Sequence, residues 1–418
     1  MKHEAYGRTD VGRARERNED AILLDSALGL YVVCDGCGGH EAGDVASRLT
    51  CEIVRRQIRR GAELLSSYAR RPTRGGRRKL LELVERAVDA ASKKVHAVAR
   101  SEAGRAGMGT TVVLAAVVGS RAVIAHAGDS RAYLYRDGHV HLLTDDHNMA
   151  NQYRKMGLIT RKQAQRSRAR EIITRAIGFH AKTHADTLHF ELAGGDTLLL
   201  CTDGLTRYVS DVELAAEMRK VPPAELPHRL IGMANHRGGR DNISVVAVQA
   251  EPGRAGGEED LLHRLRTLQR VPLFRHLSFR ELLEVTDVAQ VGTFPAGKRI
   301  IAQGAPSDRV YVSTHGTVKV VRDGRKVAEL PAGSLFGEMG LIDEEPRSAD
   351  VITATEVRLL AIRRLDFFSL LRRERTLAVK VLWGLCRLLD ARLRTTTEKL
   401  SDVTTKLGEL KRAARPFV

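Results

Sequence analysis

Five aspartates in the first 250 residues stand where side chains can do chemistry together. Asp20 closes RERNED ahead of an apolar run, and Asp35 follows YVVC and precedes GCGGH. Asp129 sits in HAGDSR, Asp203 in LLLCTDG and Asp241 in GGRDN. Four of the five settings read as strand ends or strand–loop junctions, where carboxylates converge at one edge of a sheet. Converging carboxylates repel unless cations neutralise them, and their oxygens suit hard divalent ions. A single loop Asp is ordinarily a cap or turn residue. The glycines after Asp35 and Asp203, which let backbone approach a metal, set this group apart.

The elements that must position these residues follow from hydrophobic periodicity. AILLD, LGLYVVCD, TTVVLAAV, RAVIAHAGD, RAYLYRDG, DTLLLCTD and NISVVAVQ read as strands. Hairpin turns fall at Gly119-Ser120 and Asp137-Gly138. Amphipathic helices are expected around Val45 to Arg60, Arg77 to Arg100 and Ser210 to Arg237. Strands that follow one another, with helices inserted in blocks, predict an α+β sandwich over a doubly wound parallel sheet. A Gly/Pro/charged stretch, EPGRAGGEE, then marks a linker. The expected organisation is a domain over 1–250, a linker over 251–260, a second domain over 261–375 and a helix over 376–412.

Eight segments carry a specific likeness: TDVGRARERNED, VVCDGCGGHEAGDVAS, MGTTVVLA, HAGDSRAYLYRDG, LTDDHN, ITRAIG, LLLCTDGL and GGRDNISVV. In this order they resemble the type 2C (PPM) metal-dependent serine/threonine protein phosphatases over nearly all of residues 5 to 250. The resemblance implies a β-sandwich flanked by helices. It implies that Asp35 bridges two Mg²⁺ or Mn²⁺ ions and that Asp203 and Asp241 complete the first site. Asp20, Glu19 and the Gly36 carbonyl would serve the second site, partly through water. Asp129 matches the position that, with Asp203, binds a third and weaker metal in bacterial members. Arg15 matches the residue that grips the substrate phosphate, where a guanidinium suits two oxygens. The implied reaction is hydrolysis of phosphoserine and phosphothreonine in proteins by a metal-bridged water. Cys37 departs from the eukaryotic pattern, which places a histidine general acid there. A thiol of ordinary pKa, ~8.5, suits that role poorly, and His40 is the other group nearby. NQYRKMGLITRKQAQRSRAR lies where the family has its flap, and its basic character reads either as selection of acidic substrates or as ordinary surface charge.

Downstream, GKRIIAQG, RVYVSTHG, VKVVRDG, KVAEL, ADVITA and EVRLLAI read as short strands separated by glycine turns, as in a small antiparallel roll. Leu273 to Ile362 resembles the cyclic-nucleotide-binding domains of the catabolite activator protein and of kinase regulatory subunits, most closely at SLFGEMGLIDEEPRSADV. The resemblance implies a phosphate-binding cassette of Gly337, Glu338, Met339, Arg347 and Ser348. Glu338 would accept the ribose 2′-hydroxyl, Arg347 would neutralise the cyclic phosphate and Ser348 would add a hydroxyl bond. The Arg-Ser-Ala order favours cAMP over cGMP, with both open. Asp350 adds a negative charge near the pocket. No helix-turn-helix follows.

A final helix is expected from about Arg364 to the end. Leu382, Cys386, Leu389, Leu393, Thr396, Leu400, Val403, Leu407 and Leu410 alternate spacings of four and three within it, for about four heptads. Such a seam predicts a coiled-coil homodimer. The net charge of +17 reads as solvated helix faces or attraction of phosphorylated substrates, with no DNA-reading motif beside it. The five scattered cysteines argue against a disulfide framework, and Cys34-x-x-Cys37 has no second ligand pair at zinc spacing. No secretory signal or spanning segment is visible, so the expected setting is cytoplasmic with neither nucleic acid nor membrane as partner. Regulation of the phosphatase by a cyclic nucleotide is the leading expectation, its sign open. The alternative is a catalytically silent module that senses the nucleotide.

Overall fold

A computed structural model of the chain describes residues 1–38, 42–101, 107–251, 257–341 and 345–413. The chain divides into two compact units, Met1–Glu258 and Glu259–Val418. Of the expected linker, residues 252–256 lie outside the described residues, and a helix Gly257–Arg270 begins directly after them.

The first unit holds two five-stranded antiparallel sheets. One runs His3–Asp10, Ile243–Ala250, Thr197–Cys201, Arg131–Arg136, His139–Leu142 in spatial order. The other runs Asp186–Glu191, Arg121–Ala127, Val112–Val118, Leu30–Cys34, Ala21–Asp25. Every residue of Leu30–Cys34, Val112–Val118 and Thr197–Cys201 is buried. A strand covered on both faces needs a continuous apolar run, which is what these segments carry. Helices Gly43–Arg60 and Arg74–Ser101 cover the second sheet through Ile53, Val54, Leu80, Val84 and Val88. Helices Asp211–Lys220 and Leu226–His236 cover the first through Leu214, Leu230 and Ile231. The expected single helix over Ser210 to Arg237 is these two: Pro222-Pro223 lies between them, where a proline cannot donate to the helical ladder. The turn at Asp137-Gly138 has both residues at positive φ, 50° and 75°, as a tight hairpin turn requires.

The second unit is a roll of two four-stranded antiparallel sheets. Their orders are Ala289–Phe294, Val357–Arg363, Arg309–His315, Leu335–Phe336 and Arg299–Ile301, Asp350–Thr353, Val318–Arg322, Arg325–Leu330. Ile301, Val318, Phe336, Val351, Val357 and Leu359 fill it. Helix Phe279–Val288 starts with a capping box of Ser278 and Glu281. The expected final helix is two, Arg364–Arg373 and Arg375–Ala413, with Glu374 between them.

Candidate active site and nucleotide cassette

All five aspartates flank strands. Asp35, Asp129 and Asp203 follow the ends of Leu30–Cys34, Arg121–Ala127 and Thr197–Cys201, whereas Asp20 and Asp241 precede Ala21–Asp25 and Ile243–Ala250. Asp35 is held by backbone and hydroxyl bonds. Its N–H donates to Thr111 Oγ1 at 3.1 Å, and its carbonyl accepts from Thr111 N at 2.8 Å and Thr110 Oγ1 at 2.8 Å. Thr111 Oγ1 also meets Ser130 Oγ at 2.7 Å, tying the Asp35 loop to the residue after Asp129. Asp20 Oδ2 accepts from Thr202 Oγ1 at 3.0 Å and Ser244 Oγ at 2.7 Å. The two strands that bracket Asp203 and Asp241 therefore also orient Asp20.

Burial pushes the Asp35 carboxyl well above its ordinary range, and the charges of Asp20, Asp203, Asp129 and Asp241 push it further. Asp129 is raised to about 8 by burial, then by Asp203 and Asp146. Asp20 is raised to about 7 by burial against its two hydroxyl bonds, with Asp203 and Asp241 adding to the rise. Asp203 is raised by burial, although Arg207 opposes it. Burial also raises Glu19. Carboxyls so placed cannot all ionise unless positive charge joins them. Asp20 Oδ1 is buried without a hydrogen-bond partner. An all-oxygen donor set with an orphaned carboxylate oxygen fits hard divalent cations. Gly36 belongs to the same fit: a Cβ there would lie 2.3 Å from the Gly43 carbonyl and 2.5 Å from that of Glu19.

Two arginines already lie on these carboxylates. Arg15 Nη2 is 2.9 Å from Asp241 Oδ1. Arg207 donates through Nε and Nη2 to Asp203 Oδ2 at 2.9 and 2.6 Å, and Nη2 is 3.8 Å from Asp241 Oδ2. Arg170, in the short helical turn Arg168–Glu171 of the basic segment, is close enough to lower Asp203 electrostatically. Cys37 is pushed up to about 12 by burial, then by Asp35, Asp129 and Glu19. His40 lies outside the described residues.

Sequence reasoning missed several supporting groups. Asn242 Nδ2 donates to the carbonyls of Val11 at 3.0 Å and Arg17 at 2.9 Å, and its Oδ1 accepts from Glu19 N at 2.9 Å. One amide thus staples the loop bearing Arg15 and Glu19 to the loop bearing Asp241. His126 and His147 stack at 4.6 Å, and with Asp186 they bring three ligand-type atoms within 4.8 Å. His147 Nδ1 accepts from Gly128 N at 3.1 Å, so Nε2 is the nitrogen that carries the proton to Asp186 Oδ2 at 3.1 Å. With Arg175 also donating to Asp186, the cluster is a hydrogen-bonded brace for the Gly128–Asp129 turn.

In the second unit Gly337 has φ of 73°, and a Cβ there would lie 2.7 Å from Arg347 Nη1. Arg347 is buried, donating Nη1 to the Gly337 carbonyl at 2.9 Å and Nη2 to the Arg309 carbonyl at 2.5 Å. Glu338 is buried at the start of a single helical turn, Glu338–Leu341, and accepts from Arg392 of the helix Arg375–Ala413. Met339 and Ser348 are exposed, and residues 342–344 of the cassette lie outside the described residues. Asp350 Oδ1 accepts from Gln303 N at 2.8 Å, which ties it to the neighbouring strand end.

Comparison with known proteins places both units. The family model described as Protein phosphatase 2C matches residues 12–227, and that described as Cyclic nucleotide-binding domain matches residues 291–374. The chain is 33% identical over 246 residues to Serine/threonine phosphatase stp of Listeria innocua, covering 58% of this chain and 94% of the relative. It is similar to the crystal structure of the Mycobacterium tuberculosis serine/threonine phosphatase PstP/Ppp. That match has a TM-score of 0.53 and 33% identity, covering 60% of this chain and 100% of the other. A PstP catalytic domain in complex with 2 manganese ions matches with a TM-score of 0.51 and 32% identity, over 59% of this chain and 97% of that one. The chain belongs to the protein phosphatase 2C family. It is a phosphatase of that class, and its second unit is a cyclic nucleotide-binding domain.

Proposed function

We propose that the chain hydrolyses phosphoserine and phosphothreonine in proteins, and that a cyclic nucleotide bound by the second unit sets this activity. The observation that carries the first half is the acidic centre: Asp20, Asp35, Asp129, Asp203 and Asp241 gather at strand ends with Arg15 beside them. Mn²⁺ or Mg²⁺ bound among these carboxylates would supply the charge that makes water acidic near neutral pH and offsets that of a phosphoryl group. Asp35, Asp203 and Asp241 would hold one ion; Asp35 with Asp20, Glu19 and the Gly36 carbonyl would hold the other. Arg15, half exposed on Asp241, is placed to turn its fork onto two phosphate oxygens. Water adds to phosphorus, the ester oxygen leaves with a proton, and the products are inorganic phosphate and the free hydroxyl.

Support for regulation comes from Glu338. The carboxylate expected to take a ribose hydroxyl is bonded to Arg392 of the terminal helix, so nucleotide and helix compete for one acceptor. cAMP is the favoured ligand. The same helix leaves Leu382, Leu393, Leu400, Val403 and Leu407 exposed along the alternating seam, which supports a homodimer; the Leu410 side chain lies outside the described residues. Among the described residues, no helix is long and apolar enough to cross a membrane.

The test is phosphate release from a phosphothreonine peptide by the full chain in Mn²⁺, with and without cAMP or cGMP. Metal-dependent release that moves with nucleotide is expected. No release would refute the catalytic reading; release indifferent to both nucleotides would refute the regulatory one.

A further inference from the structure

Residues 149–170 carry seven arginines and lysines and no Asp or Glu. Like charges so gathered repel one another unless something anionic meets them. Three of the seven are met within the fold: Arg154 and Lys155 by Asp145 at 3.3 and 2.5 Å, and Arg161 by Asp211 at 3.2 Å. Arg170 donates to a carbonyl of its own segment, that of Gln165, at 3.0 Å. Lys162, Arg166 and Arg168 are exposed, and among the described residues no side chain pairs with theirs. Backbone bonds fix where the segment stands. Met149 N donates to the Ile172 carbonyl at 3.0 Å, which joins its two ends. Thr174 N then donates to the His147 carbonyl at 2.8 Å, and His147 N to the Gly128 carbonyl at 3.0 Å. Both ends therefore rest on the turn that carries Asp129. Arg161 pins the middle to the first residue of helix Asp211–Lys220, in the chain that leaves Asp203. Arg166, Arg168 and Arg170 fall between these pins, on the Asp129 and Asp203 side of the acidic centre, and Arg170 acts on Asp203 electrostatically.

We propose that Arg166 and Arg168 select phosphorylated sites flanked by Asp or Glu, so that the substrates are phosphoproteins with acidic sequence around the phosphoserine or phosphothreonine. The inference rests on the phosphatase reading of the acidic centre and names its substrate class. A phosphorylated side chain that reaches the aspartates brings its own backbone with it, and extended chain advances ~3.3 Å per residue. Residues a few positions from the phosphate then pass the segment slung beside Asp129. A guanidinium stays charged at every working pH and takes a carboxylate through two N–H groups. The two arginines keep that capacity because the fold does not spend it, unlike Arg161.

The experiment measures kcat/KM of the full chain in Mn²⁺ on a phosphothreonine peptide with glutamates on both sides and on its alanine counterpart. p-Nitrophenyl phosphate serves as a substrate without flanks. Wild type is expected to favour the acidic peptide about fivefold, as two exposed ion pairs allow. The preference should lie in KM rather than kcat and shrink in high salt. Arg166→Gln combined with Arg168→Gln should bring the ratio of the two peptides to about one, whereas Arg166→Lys with Arg168→Lys should keep most of it. Circular dichroism checks folding, and the single glutamine variants replace a double variant that does not fold, read in the same way. Equal kcat/KM for both peptides on wild type, or a preference that survives in the folded glutamine variant, would overturn the proposal. Release from neither peptide nor from p-nitrophenyl phosphate would overturn the phosphatase reading itself, and with it this inference.

Discussion

Replacing Arg392 by glutamine tests how the terminal helix bears on the nucleotide cassette. Glu338 is 3% exposed and Arg392 48% exposed at their side chains. A hydrogen bond to a charged group is worth about 1.5–3 kcal/mol when sheltered. Solvent at the arginine end reduces this toward ~1 kcal/mol. If a ribose hydroxyl must displace Arg392, removing the arginine returns that amount to binding, which is about fivefold in affinity. Calorimetric titration of the full chain with cAMP should therefore show a dissociation constant about fivefold lower for Arg392→Gln than for wild type. The same substitution should leave affinity for 2′-deoxy-cAMP unchanged, because that ligand makes no claim on Glu338. The pair of ligands forms a thermodynamic cycle that isolates the competition. Unchanged or weaker cAMP binding by the variant, or an equal gain for both ligands, would refute the reasoning.

Other predictions follow from buried groups. Glu284 lies buried in helix Phe279–Val288 with neither oxygen hydrogen-bonded, and burial raises it from 4.5 to about 7, against Arg280. The folded state keeps a proton that the unfolded chain loses, so this contribution is present below the unfolded value and is lost as pH rises through about 7. Glu284→Gln should stabilise the second unit by ~3 kcal/mol at pH 8 and by little at pH 4, read from its melting transition at each pH; no gain at pH 8 counts against the burial argument. Asn242→Ala leaves three backbone groups of the Arg15 loop without partners, and should cost about 2–4 kcal/mol and lower activity together; a stable, fully active variant would show that the staple is dispensable.

The legible part of this molecule was what a local pattern encodes. Continuous apolar runs such as Val112–Val118 announced buried strands, and the aspartates expected at strand ends do flank strands. The strand His3–Asp10 was not legible, because it forms by pairing with Ile243–Ala250 rather than from any apolar run in its own mixed, partly exposed sequence. The break at Glu374 carries no proline or glycine signal, so two helices read as one. Asn242 stood beside Asp241 in GGRDN, but its bonds reach partners more than 220 residues away. Arg207 was hidden for a different reason: it stands four positions after Asp203, but LLLCTDG read as a strand end and loop, so the one-turn helix that brings the two together was not visible. The cassette shows the same divide, since Glu338 and Arg347 were readable by resemblance while Arg392, 54 positions beyond Glu338, was not.

The central claim is that the gathered carboxylates hold divalent cations for phosphoester hydrolysis. Asp35 feels every other aspartate of the centre, so Asp35→Asn probes it most directly. Mn²⁺ binding and phosphate release from a phosphothreonine peptide should be measured on wild type and on this variant, with folding checked by circular dichroism. The account predicts metal-dependent release by wild type, and loss of both tight Mn²⁺ binding and release by at least a hundredfold in a folded variant. A folded Asp35→Asn chain that binds Mn²⁺ and releases phosphate like wild type would contradict it.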